Sequence, residues 1–187
     1  MRNRILTEKQ AAENFINCVP SDYFNIYREC KGEAIYVKKL KRLFAYWDNK
    51  KVPTSGKIDF ILEPTDLLEK IGWEIGCIGV EVKSSSLINK KPGKAIAQIL
   101  DYQSRIYSLP NGKAELSMIF LFPYRDTAEF IASIMQQEGL GFVKYEPCYG
   151  NFQLLHPNTS HEFIFAYSSN GEVQIRRPRY GKRFGHR

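Results

Sequence analysis

The chain has 187 residues, of which 43% are hydrophobic and 25% are charged. This length suits one domain, and the apolar fraction is sufficient for a buried core and argues against long disordered stretches. No segment approaches the run of about 18 apolar residues that a membrane-spanning helix needs, and the first residues lack the apolar core of a signal peptide. We therefore expect a cytoplasmic protein with no membrane partner.

The net charge of +7 is concentrated at one end of the chain. Residues 176–187 contain no acidic residue, whereas residues 1–175 are almost neutral. The sequence therefore divides into a single domain over 1–175 and a basic C-terminal tail, whose cations are Arg176, Arg177, Arg179, Lys182, Arg183 and Arg187. With Tyr180 and Phe184 among these cations, the tail is suited to the phosphates and bases of nucleic acid. The alternative is a solvated terminus that only aids solubility.

The first half of the chain changes from helical to strand patterns. Hydrophobic spacing predicts helices over 7–19, where Thr7 is the cap, and over 21–29. Residues 33–47 fit a strand at their start and a helix at their end. The later elements are a turn at 52–56, a strand over 57–63, a helical or loop insert over 65–72 and a strand over 77–84.

The second half alternates helices and strands. After a loop at 89–94, the spacing predicts a helix over 94–108, and the apolar run over 116–122 predicts a central strand. A helix over 127–137 and short strands near 152–157, 162–168 and 172–178 complete the chain. This order predicts an α/β fold, in which a mixed sheet carries helices on its faces.

The strand over 77–84 carries a carboxylate and an amine on one face. Glu81 and Lys83 are two residues apart, so their side chains project from the same side of the strand. A carboxylate there can hold a hard divalent cation, and an adjacent Lys can stabilise charge that develops on a phosphate. Asp59 supplies a second carboxylate if the strand over 57–63 pairs with this one. The alternative is an ordinary solvent-facing Glu–Lys pair.

The helix after this strand presents a polar face. Lys94, Gln98 and Tyr102 recur every fourth residue, with Arg105 close to them. The opposite face is apolar and is expected to contact the core; its residues are Ile96, Ile99, Leu100, Ile106 and Tyr107. We expect Gln98 and Tyr102 to face a cleft, and Lys94 and Arg105 to bind nucleic acid. The alternative is that all four are surface residues with no role.

Three segments together resemble a known superfamily. Ile58-Asp59-Phe-Ile-Leu, then Gly79-Val-Glu81-Val-Lys83, then Gln98-Ile-Leu-Asp-Tyr102 are similar to the motifs of PD-(D/E)XK nucleases. The Gln-x-x-x-Tyr element resembles the RecB-like exonuclease branch. The resemblance covers residues 57–107. It implies a restriction-endonuclease-like core, in which a central mixed sheet is flanked by helices, and a nuclease-like domain over 1–175.

The resemblance also implies roles for individual residues. Mg²⁺ or Mn²⁺ would be held by Asp59 and Glu81, with the backbone carbonyl of Val82 as a further candidate ligand. Family members often carry another Glu on an early helix, for which Glu33 is the candidate ahead of Glu29. The candidate catalytic set is Asp59, Glu81, Lys83, Gln98 and Tyr102.

Three functions agree with this pattern. The first is a magnesium-dependent nuclease that hydrolyses phosphodiester bonds in DNA. The second is a catalytically idle nuclease fold used for DNA binding or assembly. The third is a site-specific endonuclease that acts as a homodimer. The sequence leaves open whether cleavage is exonucleolytic or endonucleolytic, and whether RNA is also a substrate.

Overall fold

The computed structural model describes residues 7–34, 55–83, 92–122, 140–146, 151–155 and 163–176. Its helices are α1 (Glu8–Cys18), α2 (Asp66–Lys70) and α3 (Pro92–Gln103). Its strands are β1 (Phe24–Ala34), β2 (Ser55–Pro64), β3 (Ile78–Val82), β4 (Arg105–Leu109), β5 (Gly112–Glu115), β6 (Met118–Phe122), β7 (Leu140–Glu146), β8 (Asn151–Leu155), β9 (Phe163–Tyr167) and β10 (Val173–Ile175). In this part of the chain, no helix is long and apolar enough to cross a membrane.

The ten described strands form one mixed sheet. Their order across the sheet is β10-β9-β8-β7-β6-β3-β2-β1-β4-β5. β3 pairs in parallel with β6, and β6 pairs in parallel with β7, whereas the other neighbours are antiparallel. The α/β class and the mixed sheet are therefore as the sequence predicts. The parallel β3–β6 pair requires a crossover, which contains α3 and the β4–β5 hairpin.

Each face of the sheet has its own apolar core. One core, which we call the α1 core, contains Phe15 of α1 together with Phe60 of β2 and Val80 of β3. The other, the α3 core, contains Ile99 and Tyr102 of α3 and side chains from the opposite face of the sheet, among them residues of β2, β4 and β6. The sheet curls around the α1 core, because β1 and β9 are separated by five strands yet Phe24 and Phe165 place their ring centroids 5.1 Å apart.

Several predicted elements are confirmed. Helix α1 begins where expected, because the Thr7 side chain accepts from the Gln10 backbone and the Gln10 side chain accepts from the Thr7 backbone. The strands predicted over 57–63, 77–84 and 116–122 correspond to β2, β3 and β6. The insert over 65–72 contains the short helix α2, whose first N–H groups are capped by Thr65. The helix predicted over 127–137 lies outside the described residues.

The helix predicted over 21–29 is wrong. Tyr23 N and Phe24 N both donate to Pro20 O, which makes a single turn, and the chain then enters β1. β1 pairs with β2 along almost its whole length, from Phe24–Pro64 to Glu33–Ser55. This non-local ladder overrides the local helical preference, as tertiary context commonly does.

The helix predicted over 94–108 is too long at its C-terminal end and starts two residues late. Helix α3 ends at Gln103, and Arg105 begins β4. Ser104 N donates to Asp101 O, which tightens the last turn. Ile106 and Tyr107 then pair with β1, so the apolar residues that continue the helical stripe belong to a strand. Strands β4, β5 and β7 were not predicted.

Candidate functional site

Two carboxylates meet where β2 and β3 separate. The antiparallel ladder between these strands reaches the Phe60–Val80 pair, and the next residues along would be Asp59 and Glu81. Their side chains enter the gap between the strands. Asp59 N donates to Glu81 Oε2 at 3.4 Å, and Val82 N donates to Asp59 Oδ2 at 2.8 Å. We call this place the fork. The pairing of β2 with β3, on which the predicted site depended, is thus confirmed.

Lys83 lies beside Glu81, on the same face of the sheet, as the two-residue spacing predicts. The exposed fraction is 2% for Glu81 and 8% for Lys83. The Lys83 ammonium donates to Glu81 Oε1, and the two form a buried ion pair. The alternative of a solvent-facing pair is therefore wrong. A buried ion pair is costly to desolvate, so its position in the sheet calls for a reason other than stability.

The electrostatics of the fork are unfavourable to Glu81. The pKa of Glu81 is raised from 4.5 to about 7, because burial and, to a smaller extent, the negative charge of Asp59 outweigh the opposing effect of Lys83. Two carboxylates are thus held close together, and in the described part of the chain the ammonium of Lys83 pairs with one of them, Glu81. A divalent cation relieves this kind of repulsion, because it favours the ionised form of both acids.

Asp59 and Glu81 fit a magnesium or manganese ion in number and kind. Mg²⁺ prefers oxygen ligands, and one or two protein carboxylates with water and substrate phosphate are its usual set in phosphate-processing sites. Val82 lies at the fork, because its N–H donates to Asp59, and its backbone carbonyl is the further candidate ligand. Within the described ranges, no group of three His, Cys, Asp or Glu residues could hold a metal. The described residues thus offer two carboxylates, Asp59 and Glu81, as candidate metal ligands.

Neither candidate for a third carboxylate joins them. Glu33 is on β1 instead of an early helix, is exposed, and pairs with Ser55, which is four residues and about 13 Å along β2 from Asp59. Glu29 is also exposed, and its carboxylate forms an ion pair with Lys57. The expectation for Glu33 is corrected on this ground.

Two predicted residues of helix α3 contact each other near the fork. Tyr102 is 5% exposed, and its hydroxyl oxygen accepts from Gln98 Nε2 at 2.5 Å. The pKa of Tyr102 is raised to about 12, chiefly by burial, and the negative charges of Glu81 and Asp59 contribute to this shift. The phenol is therefore within electrostatic range of both carboxylates. Its ring packs on β2, because a Cβ atom at Gly56 would lie 3.0 Å from Tyr102 Cε1.

Arg105 does not lie on a nucleic-acid surface, contrary to the sequence-based expectation. Its exposed fraction is 0%, and its guanidinium bonds to both carboxylate oxygens of Asp101. It also donates to Gly32 O at 3.0 Å. Arg105 therefore ties the end of α3 to β1. Lys94 is in α3, but the placement of its side chain lies outside the described residues.

The start of the basic tail lies at the same end of the sheet as the fork. Cross-strand neighbours lead from Glu81 on the α3-core face toward the tail, through Leu121, Phe142, Leu155 and Phe163. Arg176 is exposed and places its guanidinium carbon 4.3 Å from the Phe163 ring centroid. Four strand spacings put Phe163 at most about 19 Å from Glu81. The other predicted cations, Arg177, Arg179, Lys182 and Arg183, lie outside the described residues.

Sequence reasoning missed the ion pair of one residue near the site and the backbone conformation of another. Asp101 is four residues before Arg105, and this i,i+4 spacing of opposite charges is a signal for an ion pair. Glu29 has a backbone φ of +48°, and no sequence signal points to this conformation, which glutamate rarely adopts.

Comparisons of the chain with protein-family models, with curated proteins and with solved structures find no match.

Proposed function

We propose that the chain is a metal-dependent nuclease that hydrolyses phosphodiester bonds in DNA and has a restriction-endonuclease-like core. One observation carries the proposal: Asp59, Glu81 and Lys83, which are 22 and two residues apart in sequence, converge at one buried fork. The placement of α1 and α3 on opposite cores of the sheet supports the proposed helix-flanked core.

In this proposal, Asp59 and Glu81 hold Mg²⁺ or Mn²⁺. The bound ion supplies Lewis-acid polarisation of the phosphodiester and neutralises charge on its oxygens. The chain itself fixes both carboxylates through backbone N–H groups: Val82 N holds Asp59, and Asp59 N faces Glu81. Because these hydrogen bonds already fix the ligands, the strands need not rearrange when the substrate arrives. No free energy of reorganisation is then added to the activation barrier.

Lys83 contributes a cation where water is excluded. A positive charge at 8% exposure acts through a low effective dielectric and stabilises negative charge on a phosphate more strongly than a surface lysine does. Gln98 and Tyr102 present an amide and a hydroxyl from α3, and these orient the phosphate backbone across the fork. Arg176 binds the DNA backbone at the same end of the sheet, and the basic residues that follow it in sequence add further cations for phosphate.

A catalytically idle nuclease fold is the second candidate. The observation that favours it is the ion pair of Lys83 with Glu81, since an engaged ammonium and a carboxyl with a pKa of about 7 both weaken a metal site. The two candidates differ in a simple assay. A nuclease requires the metal and all three residues, whereas an idle fold binds DNA without cleaving it.

The test is incubation of the protein with linear, circular, single-stranded and branched DNA, and with RNA, in Mg²⁺, Mn²⁺ or EDTA. We expect cleavage with either metal and none with EDTA. Asp59→Ala and Glu81→Ala should abolish it, whereas the matched control Glu33→Ala should cleave normally because Glu33 is exposed and distant. Cleavage that survives EDTA or either fork substitution would contradict the proposal.

A further inference from the structure

The side chains of β2 change faces at Asp59. In a regular strand, residues three apart point to opposite sides. Ile58 and Ile61, however, both belong to the α3 core, while Phe60 and Leu62 both belong to the α1 core. The alternation is regular on either side of Asp59 and shifts by one residue at it. Asp59 therefore occupies the one step at which β2 is irregular over this stretch.

The neighbouring strand β1 changes faces at the same level. Tyr27 and Cys30 are three apart and both pack against the α3 core, whereas Ile26 packs against the α1 core. The ladder pairs Arg28 with Phe60 and Cys30 with Ile58, and it has no pairing for Glu29 with Asp59 between them. The two strands therefore shift together, and their register continues unchanged beyond the step.

Glu29 makes this step in the left-handed region. Its φ of +48° is the only positive value among the non-glycine residues of the described ranges. This conformation is unfavourable for residues with a Cβ atom and is least accessible to β-branched residues. With an ordinary negative φ at Glu29, the side chains of β1 would keep alternating between the two faces of the sheet. β2 would then either keep alternating as well or lose its pairing with β1.

The joint shift frees Asp59 from β1. Released from that ladder, Asp59 directs its N–H to Glu81 Oε2 and its carboxylate to Val82 N at 2.8 Å. We propose that Glu29 is a positioning residue for Asp59, which acts through its left-handed backbone and not through its carboxylate. Its consequence for metal binding rests on the proposed function, whereas its consequence for the Asp59–Val82 hydrogen bond does not.

Substitutions at Glu29 separate the effect of its backbone conformation from the effect of its charge. Glu29→Gly adopts a positive φ freely, Glu29→Gln removes the charge but keeps the backbone preference, and Glu29→Val is β-branched and resists that φ. Lys57→Gln removes the partner of the Glu29 carboxylate. Two quantities are measured on each folded, full-length variant: hydrogen exchange of the Val82 amide without metal, and the Kd for Mn²⁺.

We expect the Gly, Gln and Lys57→Gln variants to remain within about twofold of wild type. Glu29→Val should raise both the exchange rate of the Val82 amide and the Kd for Mn²⁺ by about tenfold or more. If Glu29→Val does not fold, the smaller β-branched Glu29→Thr takes its place, with the same expected direction.

Two results would overturn the proposal. The first is wild-type exchange of the Val82 amide in the β-branched variants. The second is an equal loss in Glu29→Gln, which would assign the effect to charge. If the wild-type protein fails to bind Mn²⁺, the proposed function fails, and the Val82 amide still decides whether Glu29 positions Asp59.

Discussion

Two buried ion pairs lie on the same face of the sheet and differ in how well they are satisfied. Arg105 meets Asp101 through a bidentate contact and also donates to the Gly32 carbonyl. At the fork, burial and the neighbouring carboxylate of Asp59 raise the pKa of Glu81 to about 7, and its ammonium partner among the described residues is Lys83. The first pair fastens a helix to a strand. The second retains unfavourable electrostatics, which is typical of a site that awaits a ligand.

We expect the largest effect on stability at the Arg105–Asp101 pair. Asp101→Asn should lower the free energy of unfolding by about 3–5 kcal/mol, because a fully buried guanidinium would lose its counter-charge. Urea denaturation measures this change. The double variant Asp101→Leu with Arg105→Met should recover most of the loss, since it removes both charges. A loss below about 1 kcal/mol in the single variant would mean that this pair is no better satisfied than a surface ion pair.

At the fork, the comparison predicts a dependence of stability on pH. The folded-state pKa of Glu81 is raised from 4.5 to about 7, so the folded protein retains a proton that the unfolded chain releases. The associated stabilisation is complete below about pH 4.5 and is lost as the pH rises through about 7. The loss is on the order of 3 kcal/mol. Urea denaturation without metal, repeated from pH 4 to 9, gives the free energy of unfolding at each pH. Its dependence on pH should be flatter for Glu81→Gln than for wild type, and equal slopes would contradict this prediction.

Gln98 should affect turnover more than stability. It is half-buried and donates to the Tyr102 hydroxyl, which lies within range of the fork. Gln98→Ala should reduce cleavage by roughly 10- to 100-fold while changing the melting temperature little. Tyr102→Phe is the matched control, since it removes the hydroxyl and keeps the ring packing. A steep fall in melting temperature with normal turnover would instead place Gln98 with the structural pair.

The basic tail should give the smallest effect on chemistry. Deletion of residues 177–187 should weaken binding of metal-free protein to DNA of any sequence. The salt dependence should flatten by roughly 0.7–0.9 in log–log slope for each phosphate that the shortened protein no longer neutralises. Arg176→Ala tests the cation that stacks on Phe163. Turnover at saturating DNA should be nearly unchanged, and an unchanged slope would make the tail a solubility segment.

The fork was predictable because its signals are local. Glu81 and Lys83 lie two apart in a short apolar strand, so their shared face follows from strand geometry alone. Asp59 required only that two consecutive strands pair, which neighbouring strands commonly do. Gln98 and Tyr102 follow from helical spacing within the part of α3 that was correctly predicted.

The features of the fold and site that were not predicted depend on contacts between distant parts of the chain. β1 forms where local preference favours a helix, because β2 supplies its ladder. Arg105 is buried because Gly32, 73 residues earlier, offers its carbonyl and leaves room beside it. The left-handed backbone of Glu29 accompanies the joint shift of two strands, and no pattern in the sequence around Glu29 predicts such a shift.

The proposed function requires that the fork bind a divalent cation. Calorimetric titration of Mn²⁺ at pH 8, where Glu81 is largely ionised, tests it most directly. We expect saturable binding of Mn²⁺ by the wild-type protein and none by Asp59→Asn. Lys83→Met should still bind Mn²⁺ but should fail to cleave DNA. Absent binding by the wild-type protein, or equal binding by Asp59→Asn, would contradict the proposed function.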